Sequence, residues 1–105
     1  MSIPAANAER IVRMRRLLET AFASAVIEVI DDSHRHIGHA GAGDGRGHFI
    51  VGIVSDRFAG LGSLARHRAI YAALGDMMST DIHALSIRAA TPAEHAARAP
   101  TTGSV

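Results

Sequence analysis

Residues 48–55, His-Phe-Ile-Val-Gly-Ile-Val-Ser, carry no formal charge and almost no break in apolar character. A run this short and this continuously apolar predicts a strand covered on both faces or placed centrally in a sheet. Its partner is readable upstream. The β-branched run Ala25-Val26-Ile27-Glu28-Val29-Ile30 predicts a first strand, ended by Asp31 and Asp32. A third run, residues 82–89, alternates enough to be another strand.

Helices follow from a different period. Over residues 7–22, Ile11, Met14, Leu18, Ala21 and Phe22 fall on one helical face, while Arg10, Arg13 and Arg16 follow the other. Asn7 is placed to cap this helix, with Glu9 in its first turn. Gly60 and Gly62 predict a turn, after which Ser63 can cap a helix running to about Met78. Its expected buried stripe is Leu64, Tyr71, Leu74 and Met78, broadened by Ile70, Ala73 and Met77. A helix between the second and third strands lets those strands run parallel through a right-handed crossover. Thr91-Pro92-Ala93-Glu94 has the pattern of a capped helix start with proline at the first position. The expectation is an α+β fold, ordered α-β-β-α-β before a short last helix. One domain over residues 1–98 would precede a disordered tail at 99–105.

Between the first two strands lies a glycine-rich stretch holding His34, His36 and His39, without apolar periodicity. Loops of this length are usually functional or disordered. Composition limits what they could do. Cysteine is absent, which removes disulfides, thiolate nucleophiles and cysteine-built metal sites. A metal must therefore use nitrogen or oxygen ligands from this chain, or sulfur from elsewhere. All 11 basic residues are arginine and the net charge is +1, too small a balance to imply nucleic acid by itself. No apolar run approaches the length needed to span a bilayer, and no secretory signal opens the chain. The arginines of the first helix resemble a mitochondrial presequence, but Glu9 and Glu19 interrupt it, so a cytoplasmic protein is expected.

Three groups could carry chemistry. The loop histidines, with His48 at the far end, could surround an ion or simply be solvated. His83 opens the third strand and, on strict alternation, shares a face with Leu85 and Ile87; it is a ligand or a half-buried histidine bonded at a strand end. Arg66 and Arg68 flank His67 near a helix start, where they could meet phosphate, the alternative being solvated arginines around a packed His67. No P-loop, dinucleotide fingerprint or nucleophile elbow is present, which disfavours an enzyme.

Taken in order, Asp32-Ser33-His34-Arg35-His36, His48-Phe49, Val54-Ser55-Asp56-Arg57-Phe58-Ala59-Gly60, Leu64-Ala65-Arg66-His67-Arg68, Ile82-His83-Ala84-Leu85 and Thr91-Pro92-Ala93-Glu94 resemble the BolA family. The resemblance covers roughly residues 9–95. It implies a class II KH-like fold, with a three-stranded mixed sheet and helices packed on one face. It also implies a non-enzymatic adaptor for a monothiol glutaredoxin, sharing a [2Fe-2S] cluster to which the glutaredoxin and glutathione give sulfur. The isolated chain, a monomer or weak homodimer, would bind no cluster. The family's ligand in the His-Ala-Leu segment corresponds to His83. The loop ligand corresponds to His36 counting from Asp32-Ser33, or to His39 counting back from His48-Phe49. Imidazole on one iron would raise the cluster's potential, as in Rieske-type ligation.

The alternative expectation is a DNA-binding transcriptional regulator, because some relatives are regulators of that kind and KH-like folds hold nucleic acid. Arg57, Arg66 and Arg68 around the Gly60–Gly62 turn would then contact backbone. A third reading is a zinc or nickel buffer built on His34, His36 and His39.

Overall fold

The computed structural model describes residues 5–33 and 46–98. Its elements are α1 (Ala5–Ala21), β1 (Val26–Asp31), β2 (Gly47–Val54), a 3-10 turn (Asp56–Phe58), α2 (Ser63–Leu74), α3 (Met77–Thr80), β3 (Ile82–Ala90) and α4 (Pro92–Arg98). The loop histidines and the 99–105 tail lie outside the described residues.

β2 is the middle strand of a three-stranded sheet ordered β1-β2-β3. It pairs antiparallel with β1, Ile27 opposite Ile53, and parallel with β3, Val51 opposite Ile87. The sheet is therefore mixed, as the helix between β2 and β3 required. Phe49, Val51 and Ile53 of β2 are buried on the face covered by helices. There Met14, Leu18 and Phe22 of α1 meet Ile70 and Leu74 of α2, with Phe58, Met77 and Ile82 closing the core. The Phe22 and Phe58 rings lie 5.2 Å apart in a tilted pair. The opposite face keeps Val26 71% exposed and Ile30 partly exposed.

Three local expectations are corrected. The long helix does not run to Met78: Gly75, at φ +57°, ends α2 and α3 starts at Met77. That left-handed backbone costs glycine little, so the chain breaks there. Ser63 does not cap α2, because Gly62 holds the cap position and no side chain bonds there. The stripe is also rotated. Leu64 and Tyr71 are exposed, whereas Arg66, Ile70 and Leu74 are buried.

The burial of Arg66 has a clear cause. Its guanidinium donates to both carboxylate oxygens of Glu94, at 2.9 Å for Oε2, and to the Ala89 carbonyl at 3.2 Å. Its Nε donates to the Leu61 carbonyl at 2.8 Å, and its guanidinium carbon stands 5.7 Å from the centre of the Phe58 ring. One side chain thus ties the turn before α2 to β3 and α4. Glu94 is held in turn by the expected cap: Thr91 N–H donates to Glu94 Oε1, and Glu94 N–H to Thr91 Oγ1. On the edge of the sheet, Arg15 Nη1 donates to the outward carbonyl of Ile27 in β1 at 2.9 Å.

The Arg66 bonds, and then the Thr91 N–H, pull the Glu94 carboxyl down from 4.5 to about 2. A carboxyl with a depressed folded pKa adds stability above its unfolded value, and this is lost as pH falls from about 4.5 towards 2. Glu94→Gln should therefore be less stable than the parent at pH 7. Denaturant melts at stepped pH should show that gap closing below pH 4.5; a gap that persists at pH 2 contradicts this account.

Candidate functional site

The loop ends of all three strands are gathered by the first turns of α1. Asn7 is not a cap: α1 begins at Ala5, and Asn7 is buried inside it. Its Nδ2 donates to Asp31 Oδ2 and Ser33 Oγ, both at 3.2 Å, and its Oδ1 accepts from Arg10 Nη1 at 2.8 Å. Ser33 N–H donates to Asp31 Oδ1 at 2.8 Å, and Ser33 Oγ accepts the His48 N–H at 2.9 Å. Asp32 N–H donates to the His48 carbonyl at 2.8 Å. The two ends of the 34–45 segment are thus laced together and fastened to α1. Arg10 Nε also donates to Asp81 Oδ2 at 3.1 Å, and Gly47 N–H to the Asp81 carbonyl at 2.9 Å. The Thr80 hydroxyl first, then Arg10 and Arg13, hold the Asp81 carboxyl below the usual carboxylate range.

Beside this clamp the β2–β3 pairing slips. Gly47 faces Ile82 but His48 faces Ala84, so His83 is the extra residue of a bulge. The bulge breaks the alternation that placed His83 on the face of Leu85 and Ile87. His83 is exposed instead of half-buried, and so is Ala84 beside it. Its ring lies 4.9 Å from the buried His48 ring, and its Nδ1 is 3.2 Å from Arg46 Nη2. A guanidinium only donates, so in this arrangement Nδ1 accepts and the ring proton sits on Nε2. His83 can offer a nitrogen to a metal once Arg46 releases Nδ1, either through Nδ1 itself or, with the ring proton moved to Nδ1, through Nε2.

Of the sequence-derived candidates, His83 stands at the described site, whereas His36 and His39, with His34, lie outside the described residues. Among the described residues no three histidine, aspartate or glutamate side chains are arranged to hold a metal ion. In the sequence His48 marks only the end of the loop and the start of the central strand. Its approach to His83 depends on a one-residue slip that no residue type announces. The backbone candidates divide. Arg68 is exposed; Arg57 is exposed and bonds the Ala21 carbonyl at 3.0 Å. Arg66 is not available to phosphate, because Glu94 and two carbonyls occupy its donors. A contact of Arg66 with nucleic acid would require those bonds to break. His67 is half-buried.

The model of the family described as BolA-like protein matches residues 18–94. The chain belongs to the BolA-like family. It is 43% identical over 79 residues to the DNA-binding transcriptional regulator BolA of Escherichia coli, covering 75% of this chain and 72% of that one. It is 47% identical over 88 residues to SufE-like protein 1 of Arabidopsis thaliana, covering 79% of this chain but 24% of that protein. Against human BolA-like protein 1 it is 42% identical over 81 residues, covering 77% of this chain and 57% of the relative. Among solved structures, the BolA domain of SufE1 from Arabidopsis thaliana superposes with a TM-score of 0.72 at 41% identity, covering 89% of this chain and 99% of that domain. The solution structure of mouse BolA1 gives 0.72 at 32% identity, covering 97% of this chain and 77% of that one. These neighbours share the α+β architecture with its three-stranded mixed sheet. Among the described residues no helix is long and apolar enough to cross a membrane. Two Arabidopsis relatives carry organelle names, chloroplastic or mitochondrial, so compartment varies among the relatives.

Gly47 sits at the slip with no room for a side chain. A Cβ there would stand 2.5 Å from the buried Phe49 ring and 3.0 Å from Asn7 Oδ1. Gly47→Ala should cost about 1–3 kcal/mol through overpacking. Asn7→Ala should cost about 1–3 kcal/mol through the abandoned partners, despite alanine's better helix propensity. Denaturant midpoints check both, and a neutral Asn7→Ala would show that the clamp contributes nothing.

Proposed function

We propose that this BolA-like chain is an adaptor without chemistry of its own, which binds a monothiol glutaredoxin and lends imidazole to a [2Fe-2S] cluster held between them. The observation that supports this most is the bulge. It spends a rung of the β2–β3 ladder to put the His83 imidazole in solvent, on a strand end fixed by Arg10, Asp81 and the paired sheet. An exposed imidazole on a rigid support is what a shared ligand needs.

The donor set fits such a cluster only as a contributor. The chain has no thiolate, so most cluster ligands must come from the partner and its glutathione. His83 supplies one nitrogen and a histidine of the 34–45 segment, His36 or His39, the second. When bound, the cluster would bring electron transfer or a transferable iron-sulfur unit. This chain's residues present the imidazoles, and the Asn7–Ser33–His48 lacing holds both ends of the segment that carries the second one. Imidazole ligation makes the assembly sensitive to acid, since a protonated ring cannot bind iron. The proposed setting is cytoplasmic.

Co-expression with a monothiol glutaredoxin should yield a coloured heterodimer. His83→Ala should alter its visible absorption and circular dichroism, and His36→Ala and His39→Ala, tested singly, should identify the loop ligand. A colourless mixture, or a spectrum indifferent to His83→Ala, defeats the proposal.

The name of the Escherichia coli relative supports a second reading, a DNA-binding regulator. With Arg66 withdrawn, Arg57 and Arg68 remain as phosphate contacts. Two contacts give a slope of log affinity against log salt of about −2. Fluorescence anisotropy on duplex DNA measures this, and no binding at low salt removes the reading.

A further inference from the structure

The sheet face away from α1 and α2 is not featureless. At its far end from the histidines, Val26, Glu28, Gly52, Val54, Arg88 and Ala90 line a cleft of about 410 Å³, overhung by His95 and Arg98 of α4. Gly52 opens its floor: a Cβ placed there would meet nothing nearer than Glu28, at 3.9 Å. Val26, Val54 and Ala90 make the surroundings apolar, and Val26 is 71% exposed although it is a β-branched residue in a strand.

Charge distinguishes this cleft from an ordinary exposed sheet face. Among the described residues, Arg88, His95 and Glu28 show no side-chain hydrogen bond or ion pair, and Arg98 acts on Glu94 only through its charge, without a bond. Glu94, the acid nearest Arg98 in sequence, is engaged by both arms of Arg66. Two guanidinia set against the one Glu28 carboxylate leave a single positive charge beside apolar surface. Guanidinium binds carboxylate through two parallel hydrogen bonds. The volume falls in the range of small-molecule sites. The single excess charge suits a monoanion; a phosphate dianion would be under-compensated beside Glu28.

We propose that this cleft binds a small amphiphilic monocarboxylate, its apolar chain over Gly52, Val26, Val54 and Ala90 and its carboxylate held by Arg88 and Arg98. The cleft and its ligand are independent of His83 and of any cluster.

Octanoate is a suitable probe, followed by amide chemical shifts on the whole chain. Saturable shifts should appear at Glu28, Gly52, Arg88 and the α4 amides. Octanol, with the chain but no charge, and inorganic phosphate, with charge but no chain, should each bind at least about tenfold more weakly. Arg88→Met keeps most of the side-chain volume and should weaken octanoate about tenfold or more. Gly52→Val adds a strand-favouring residue where space exists, so the fold should be kept while binding is lost. The proposal is overturned if octanoate gives no saturable shifts, if octanol or phosphate binds as well, or if both variants bind as the parent does. It is equally overturned if the same amides shift with protein concentration alone, which would seat a second copy in the cleft.

Discussion

The structure depends on β2 having a neighbour along each edge. Its amides and carbonyls lie in an apolar layer where water cannot serve them, so β1 and β3 must both be present before the strand can be buried. The pairing with β1 is antiparallel, and the pairing with β3, reached through α2 and α3, is parallel. The helices then have a single place to go. Phe49, Val51 and Ile53 project to one side, and Met14, Leu18, Ile70 and Leu74 close over them.

Within that frame, polar groups determine where the ends sit. Two arginines do most of this work in different ways. Arg66 is drawn under α4 and uses its donors on backbone carbonyls and Glu94, so the last helix is fastened from below. Arg10 reaches from α1 to Asp81 and to Asn7, joining the strand ends that flank the histidines. Buried polar contacts of this kind specify one arrangement of strand ends, because each partner left unmet would cost more than a missed apolar contact.

The sheet and the helix order were legible in residue patterns, because period two and period 3.6 leave separate marks. The central strand could be read from eight consecutive residues, and the α4 cap from four. What resisted reading was set by contacts distant in sequence. Asn7 has the composition of a cap, but its amide is claimed by Asp31 and Ser33, 24 and 26 residues away. Arg66 sits where a phosphate-binding arginine could, and only the arrival of Glu94, 28 residues later, explains its burial. Leu64 and Tyr71 look like a core stripe until the helix rotates to place Arg66 inside. The His83 bulge is likewise a property of the pairing of two strands, written in neither alone. His83 as a candidate ligand came from family resemblance, whereas its exposure and its closeness to His48 came from the pairing.

The contact of Arg15 with Ile27 has a bearing on how the molecule behaves in a crowd. β1 is a border strand, and borders of this kind offer unsatisfied rungs to any extended chain that drifts past. Every second residue of β1 turns its amide and carbonyl away from β2, so few rungs face outward, and a guanidinium from the first helix already occupies one of them. A stray strand would have to evict a charged, bonded group before it could register. The same arginine that decorates the helix surface therefore serves as a guard against polymerisation along the sheet.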